Sequence, residues 1–420
     1  MPLVKRHPLL AILAVALVLR LVAACVVTLT VSHANRDFFI PGDAEGYWLL
    51  AGQILAGEDY AIYDPPRRVM RMPGFPALLA VCRGLTDDSL FGTRLLLAGV
   101  GTAGCAAVFL LGRTLVSNRV GLIGSFLAAI HPVFIGFSVL VLSETLFALG
   151  LTLSLAIMAT IVRHRSDFKN IAISTPNPAL SQDLLLGALT GLLIALACYV
   201  RPTWLPAAIL FPVALVIAQR SRRAVLTGAA VVLATALSLL PWAWRNHTVT
   251  GHWVVTTLWV GPSLYDGLHP GATGASDMRF FDEELLLERM SEYEMDQAYR
   301  ARAWEFAREN PRRVLKLAAV KLWRYWRPWP GAEQFSNWPA HVTVAIAYVP
   351  LIALAIVGAW ARRGDPWVIG LTVLPIVLFS IVHCVFVSSL RYRLPVEYPL
   401  CVLSATGLRW ILQYRNSRVI

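Results

Sequence analysis

Residues 9–31 read LLAILAVALVLRLVAACVVTLTV, an unbroken apolar run whose only charge is Arg20. A helix rises about 1.5 Å per residue and the hydrocarbon of a bilayer is roughly 30 Å thick, so the run is long enough to cross. Lys5 and Arg6 precede it, as they would a signal peptide. The run is too long for one and lacks a small-residue cleavage site, so it is read as a retained first span.

Working outward, runs of spanning length recur at 95–115, 119–138, 143–162, 184–200, 203–219, 224–244, 340–360, 366–388 and 396–413. The sequence therefore predicts an all-α polytopic membrane protein with about ten transmembrane helices, an even number that puts both termini on one side. Composition agrees. Of 420 residues, 57% are hydrophobic and 15% charged, well below the roughly one quarter charged that soluble domains carry. The mean hydropathy is +0.61.

A net charge of +12 invites a nucleic-acid reading, but the cations sit in short segments between apolar runs, where they anchor span ends. With the N-terminus inside, the inner segments hold Lys5, Arg6, Arg113, Arg119, Arg163, Arg165, Lys169, Arg220, Arg222, Arg223, Arg362, Arg363, Arg415 and Arg418. The short outer loops hold Arg201, Arg391 and Arg393. The excess places both termini in the cytoplasm. Cys25, Cys82, Cys105, Cys198, Cys384 and Cys401 are scattered and follow neither a disulfide nor a metal spacing.

Residues 1–420 are read as a single membrane domain with two long outward segments, 32–94 and 245–339, where polar residues concentrate. The first predicts juxtamembrane helices. Asp43, as a helix cap, precedes a stretch with Tyr47, Leu50, Ala51 and Ile54 on one face, and a second helix starts at Pro73. In the second, Val254-Val255-Thr256-Thr257 favours a strand or an interfacial segment, 277–309 an amphipathic helix pair, and 314–329 a basic, Trp-rich interfacial helix.

Four groups of residues can carry chemistry. Asp43, just outside the first span, is placed to act as a general base, with Glu45 its rival. Glu144 lies in a short outer turn against hydrocarbon, where a charge is costly; capping a helix with Ser143 is the alternative. Arg71, Arg201, Arg245, Arg391 and Arg393 offer guanidinium forks for a phosphate. In Leu390-Arg391-Tyr392-Arg393 an extended chain would aim both arginines one way. Arg20 is either functional or satisfied by Glu144 or a backbone carbonyl. His131-Pro132 reads as a kink with a satisfied histidine, and His247, His252 and His269 do not follow a zinc pattern. No nucleotide-binding loop, triad elbow or HExxH appears, and Asn246-His247-Thr248 is a weak sequon.

Together Asp43 with Tyr47 and Ala51, Arg71-Met72-Pro73-Gly74-Phe75-Pro76, His131-Pro132, Ser143-Glu144-Thr145-Leu146, Arg201-Pro202, Pro241-Trp242-Ala243-Trp244-Arg245-Asn246, Asn310-Pro311 and Arg391-Tyr392-Arg393-Leu394-Pro395 resemble the GT-C superfamily of polyprenyl-phosphate-sugar-dependent glycosyltransferases. The likeness is to the branch of the protein O-mannosyltransferases and aminoarabinose transferases. It implies a bacterial inner-membrane enzyme with a periplasmic active site, a polyprenyl-phosphate-linked sugar donor, a lipid, glycan or protein acceptor, no nucleic acid, and inversion at the sugar. It also implies catalytic roles for Asp43 or Glu45 and for Glu144. Donor phosphate would fall to Arg71, Arg201, Arg391 and Arg393, and pocket roles to Tyr47, His131 and Arg245. A divalent metal ion, if one is used, would sit on Asp43. Two departures stand out. Ala44 separates Asp43 from Glu45 where relatives carry adjacent acids, and the chain ends soon after the last span. The rival readings are a transporter or flippase of lipid-linked sugars and an O-antigen ligase or polymerase.

Overall fold

The computed structural model describes residues 7–170, 180–331 and 337–416; Lys5, Arg6 and Arg418 lie outside them. The chain forms helices α1 (Pro8–His33), α2 (Asp43–Ala56), α3 (Gly74–Leu85), α4 (Leu90–Leu115), α5 (Asn118–Ile130), α6 (Pro132–Val139), α7 (Glu144–Asn170), α8 (Leu180–Val200), α9 (Ala207–Gln219) and α10 (Arg222–Thr250). The polar segment that follows holds α11 (Val260–Gly267), α12 (Arg279–Glu284), α13 (Glu292–Glu309) and α14 (Pro311–Trp326). Then come α15 (Trp338–Ala361), α16 (Pro366–Thr372), α17 (Leu374–Val385) and α18 (Leu390–Asn416). No strand forms among the described residues, so the strand alternative for Val254–Thr257 is not met. These residues form a loop whose backbone serves α10, where Trp242 and Asn246 donate to Thr256 and Val254 carbonyls.

Among the described residues, eight helical spans are long and apolar enough to cross a bilayer, and the pair α5 and α6, bent by 63°, makes up to nine. The segment expected to be the tenth span lies in helix α18, 27 residues long. It falls outside the apolar set because it carries Arg391, Arg393, Glu397 and Arg409. The physical reason is its position: from Leu394 to Ala405 almost every residue is buried, packed on α15, α5 and α7. A helix shielded by other helices need not be apolar all round. Close approach comes from small residues, as is usual where lipid supplies no hydrophobic drive. A Cβ on Gly358 of α15 would lie 1.9 Å from the Leu403 carbonyl, and one on Gly407 of α18 2.1 Å from that of Leu354.

The break at His131-Pro132 explains Arg20. Pro132 has no N–H to give the Ala128 carbonyl, so the end of α5 is left with unpaired acceptors. Arg20, fully buried on α1, donates to the carbonyls of Ala129 at 3.2 Å and Ala128 at 3.3 Å, and to Ala16 at 3.1 Å. Of the sequence's two readings, the backbone partner is the one found. The alternate helix junctions α1/α4, α6/α7, α8/α9, α10/α15 and α17/α18 meet at one end of the bundle, and there the polar residues converge.

Candidate active site

Helix α2 starts one residue earlier than a capping Asp43 would allow. Gly42, at a φ of 76° that suits glycine, is the cap, and Glu45 reaches back to accept the Gly42 N–H at 3.1 Å. Glu45 is thereby committed to its own helix. Asp43, relieved of capping, turns both carboxylate oxygens to guanidinium groups: Oδ1 accepts from Arg71 Nη2 at 2.9 Å, and Oδ2 pairs with Arg391. Arg71 lies flat along α2 because Gly46 has no side chain; a Cβ there would be 3.3 Å from its guanidinium. The Tyr47 ring, 4.5 Å away, supports its other face.

The second carboxylate enters from the first residue of α7. Glu144 is fully buried, and its Oε1 accepts from Arg201 Nη2 at 2.6 Å and lies 3.3 Å from Arg391 Nε. Arg201 Nε also donates to Ser143 Oγ at 2.9 Å, which lies 3.2 Å from the Tyr47 hydroxyl. Arg391 therefore bridges the two acids. Three arginines surround two carboxylates, a net cationic cluster, and the Nε–H groups of Arg71 and Arg391 have no hydrogen-bond partner.

The cluster faces a cavity of about 340 Å³ lined by Asp43, Tyr47, Arg71, Arg201, Arg391 and Tyr392 on one hand and Met70, Phe147, Trp259, Phe379 and Phe386 on the other. A second cavity, about 420 Å³ and almost wholly apolar, reaches Arg391 between α1, α6 and α15, with Val27, Phe137 and Val344 in its wall. Burial alone would raise the Asp43 carboxyl; Arg391 and Arg71 outweigh it and hold the group well below the usual carboxylate range. Burial alone would likewise lower Arg71, but Tyr47 and Asp43 raise it.

Three expected site residues lie elsewhere. Arg393 diverges from Arg391 because the segment is the first turn of α18 rather than extended, and a two-residue step on a helix turns about 200°. It pairs with Glu397, donates to the Tyr325 carbonyl at 2.6 Å and is 1% exposed. His131 packs between Phe134, tilted to it, and the Tyr348 ring, met edge-on, with centroids 4.3 and 4.7 Å away. Arg245 holds the segment that carries Arg71, donating to the carbonyls of Arg68 at 2.6 Å and Tyr60 at 3.2 Å. Glu292 completes that support: its carboxylate accepts the Arg68 and Val69 N–H groups at 2.9 and 3.0 Å. The Tyr60 hydroxyl donates to the carbonyls of Arg71 and Met72. Sequence reading passes over Glu292, whose contact lies 224 residues away and leaves no local pattern, and over Tyr60, whose hydroxyl reaches carbonyls 11 and 12 residues on across an irregular loop.

A divalent ion does not fit these residues. Both Asp43 oxygens are taken by arginines, and among the described residues no three His, Cys, Asp or Glu side chains come together.

No protein-family model and no curated protein matches the sequence. Solved structures do match. The oligosaccharyltransferase of Archaeoglobus fulgidus, tethered to an acceptor peptide with the NVT sequon, aligns over 99% of this chain at 14% identity with a TM-score of 0.60. The archaeal oligosaccharyltransferase AglB from Archaeoglobus fulgidus, in complex with an inhibitory peptide and a dolichol-phosphate, aligns over 99% at 14% identity and a TM-score of 0.57. This is the GT-C fold. The GT-C resemblance of the sequence motifs thus extends to the architecture. The chain spans about half the length of that oligosaccharyltransferase, 52% of it in the dolichol-phosphate complex.

Proposed function

We propose that this chain is a membrane glycosyltransferase that moves a sugar from a polyprenyl-phosphate donor to an acceptor hydroxyl, with inversion, at the outer face of a bacterial inner membrane. The observation that carries the reading is Arg391, shared between the carboxylates of Asp43 and Glu144 in a cavity that also holds Arg71 and Arg201. Three guanidinium groups against two carboxylates, at the edge of a cavity, suit a phosphate, and the apolar cavity against Arg391 suits a prenyl chain. The GT-C fold, seen in a protein solved with dolichol-phosphate, supports the same donor class. The excess of Lys and Arg on the opposite helix ends supports cytoplasmic termini and a periplasmic site.

In the reaction, the acceptor oxygen attacks the anomeric carbon from the side away from the phosphate. The new carbon–oxygen bond forms as the bond to the phosphate oxygen breaks; its electron pair leaves on the phosphate, and the hydroxyl proton passes to Asp43. Arg71, Arg201 and Arg391 stabilise the charge that develops on the leaving phosphate. Asp43 lines the cavity and is the base, whereas Glu144 is behind it and positions two arginines.

The test is release of polyprenyl phosphate by purified protein offered a panel of polyprenyl-phosphate sugars, compared with Asp43→Asn. Turnover lost in the variant is the expected result. Movement of lipid-linked sugar across vesicles without release would favour the transporter, and turnover confined to polyprenyl-diphosphate glycans the ligase or polymerase.

A further inference from the structure

A carboxylate whose two oxygens are both ion-paired is a poor proton acceptor, because accepting a proton means giving up a charge-assisted bond. Asp43 is in that state, held by Arg71 and Arg391. The cluster is uneven in a way that shows which member can let go. The side chains of Glu144, Arg71 and Arg391 are 0%, 11% and 20% exposed, while that of Asp43 is 32% exposed. Arg391 has a second, fully buried partner in Glu144, and Arg71 lies on the Tyr47 ring. Asp43 has only the two guanidinium groups and water.

We propose that the donor's phosphate switches the base on: in the free protein Arg71 and Arg391 lock Asp43, and a phosphate entering the cavity takes those guanidinium groups for itself and releases the carboxylate. The inference rests on the transferase reading of the site and adds an order of events. Donor binds first; only then does a competent base face the acceptor. Arg391 stays anchored by Glu144 while its other nitrogens exchange one anion for another, so the change needs no movement of the helices. Asp43 and the phosphate are thus competitors for the same two cations in the resting state.

That competition gives a test in which the two possible roles of Asp43 have opposite signs. Undecaprenyl phosphate is titrated into the full chain in nanodiscs, following intrinsic tryptophan fluorescence, with Trp259→Phe identifying the part of the change that comes from the cavity wall. Asp43→Asn and Asp43→Ser remove the competitor and are expected to bind it about tenfold tighter than wild type, the order of one charge-assisted pair, while losing transfer. Weaker binding in the variants would mean that Asp43 holds the arginines in place, and would overturn the switch. Wild-type protein labelled at aspartate supplies a measurement free of folding defects. Infrared difference spectra are expected to show an ion-paired carboxylate band shifting when undecaprenyl phosphate is added. A flat aspartate region despite measured binding overturns the switch alone, leaving the transferase reading standing; no binding by wild type overturns both.

Discussion

Two guanidinium–carboxylate clusters occupy the first two turns of α18. Arg393 and Glu397 are each 1% exposed, closed in by Tyr348, whose hydroxyl donates to Glu397 at 2.6 Å, and by the Tyr325 carbonyl. Arg391, two residues earlier, shares Asp43 and Glu144 with two further arginines at the edge of a cavity. Both arrangements take charge out of water, which is costly unless each ion is matched. The sealed pair matches one cation to one anion, and neither side chain lines a cavity, although Arg393 Nη2 has no hydrogen-bond partner. The open cluster has more cations than anions and is completed by another anion. A buried ion pair alone therefore does not mark a site; the surplus of one sign beside a cavity does.

The sharpest way to break that distinction is Asp43→Asn. As the base, Asp43 is expected to be worth about 10²- to 10⁴-fold in turnover, measured as polyprenyl phosphate released at saturating donor. Retained turnover would remove the open cluster from the chemistry. Glu144→Gln comes next. It leaves Arg201 and Arg391 short of a buried counter-charge, a loss of roughly 3–5 kcal/mol for such pairs, seen as a lower thermal midpoint together with weaker donor binding. Unchanged donor binding would return Glu144 to its helix end.

The support layer should respond more gently. Glu292→Gln retains shape but offers one acceptor where the carboxylate caps two N–H groups. Arg71 then loses aim, and the expected result is a KM for donor raised several-fold with kcat nearly kept, since the base is untouched. An equal loss of both would point to general unfolding instead. pH offers a related check. Asp43 is held below the usual carboxylate range, so its contribution to stability is fully present above about pH 4 and is lost only as pH falls through the lower folded value. Between pH 5 and 8, binding of released polyprenyl phosphate, a monoester, should follow its second ionisation near pH 6, whereas the sugar-bearing donor is a diester with one ionisation and should bind evenly; Asp43→Asn should leave both profiles in place.

How much of this was legible in the sequence depends on the range of the contact. Hydrophobic length gave the helices, the position of Pro132 gave the break, and Asp43, Glu144, Arg71, Arg201 and Arg391 were all singled out as polar residues against hydrocarbon. What sequence reading got wrong were local geometries that tertiary packing decides. An extended 390–395 would have paired Arg393 with Arg391; as a helix it separates them. The capping role expected of Asp43 falls to Gly42, with Glu45 reaching back to its N–H, once Gly42 adopts a positive φ. Glu292 and Arg245 act on backbone groups far away in the chain, and a lone acid or arginine carries no mark of a distant peptide group.

The smallest expected effect on transfer, none, tests the sealed half of the comparison, where the single variants change stability instead. Arg393→Met alone leaves Glu397 buried without its cation, and a cost of about 3–5 kcal/mol is expected. Replacing both partners, as Arg393→Met with Glu397→Leu, removes the charges together, and such exchanges are often neutral or stabilising in other proteins. Tyr348 then loses its acceptor, so a residual cost of about 1–3 kcal/mol is expected for the orphaned hydroxyl, and adding Tyr348→Phe should recover most of it. The triple variant is expected to keep wild-type turnover and wild-type affinity for polyprenyl phosphate, because none of the three side chains lines the cavity. If transfer falls while the thermal midpoint holds, the pair is coupled to Arg391 through the shared first turns of α18, and the two clusters work as one.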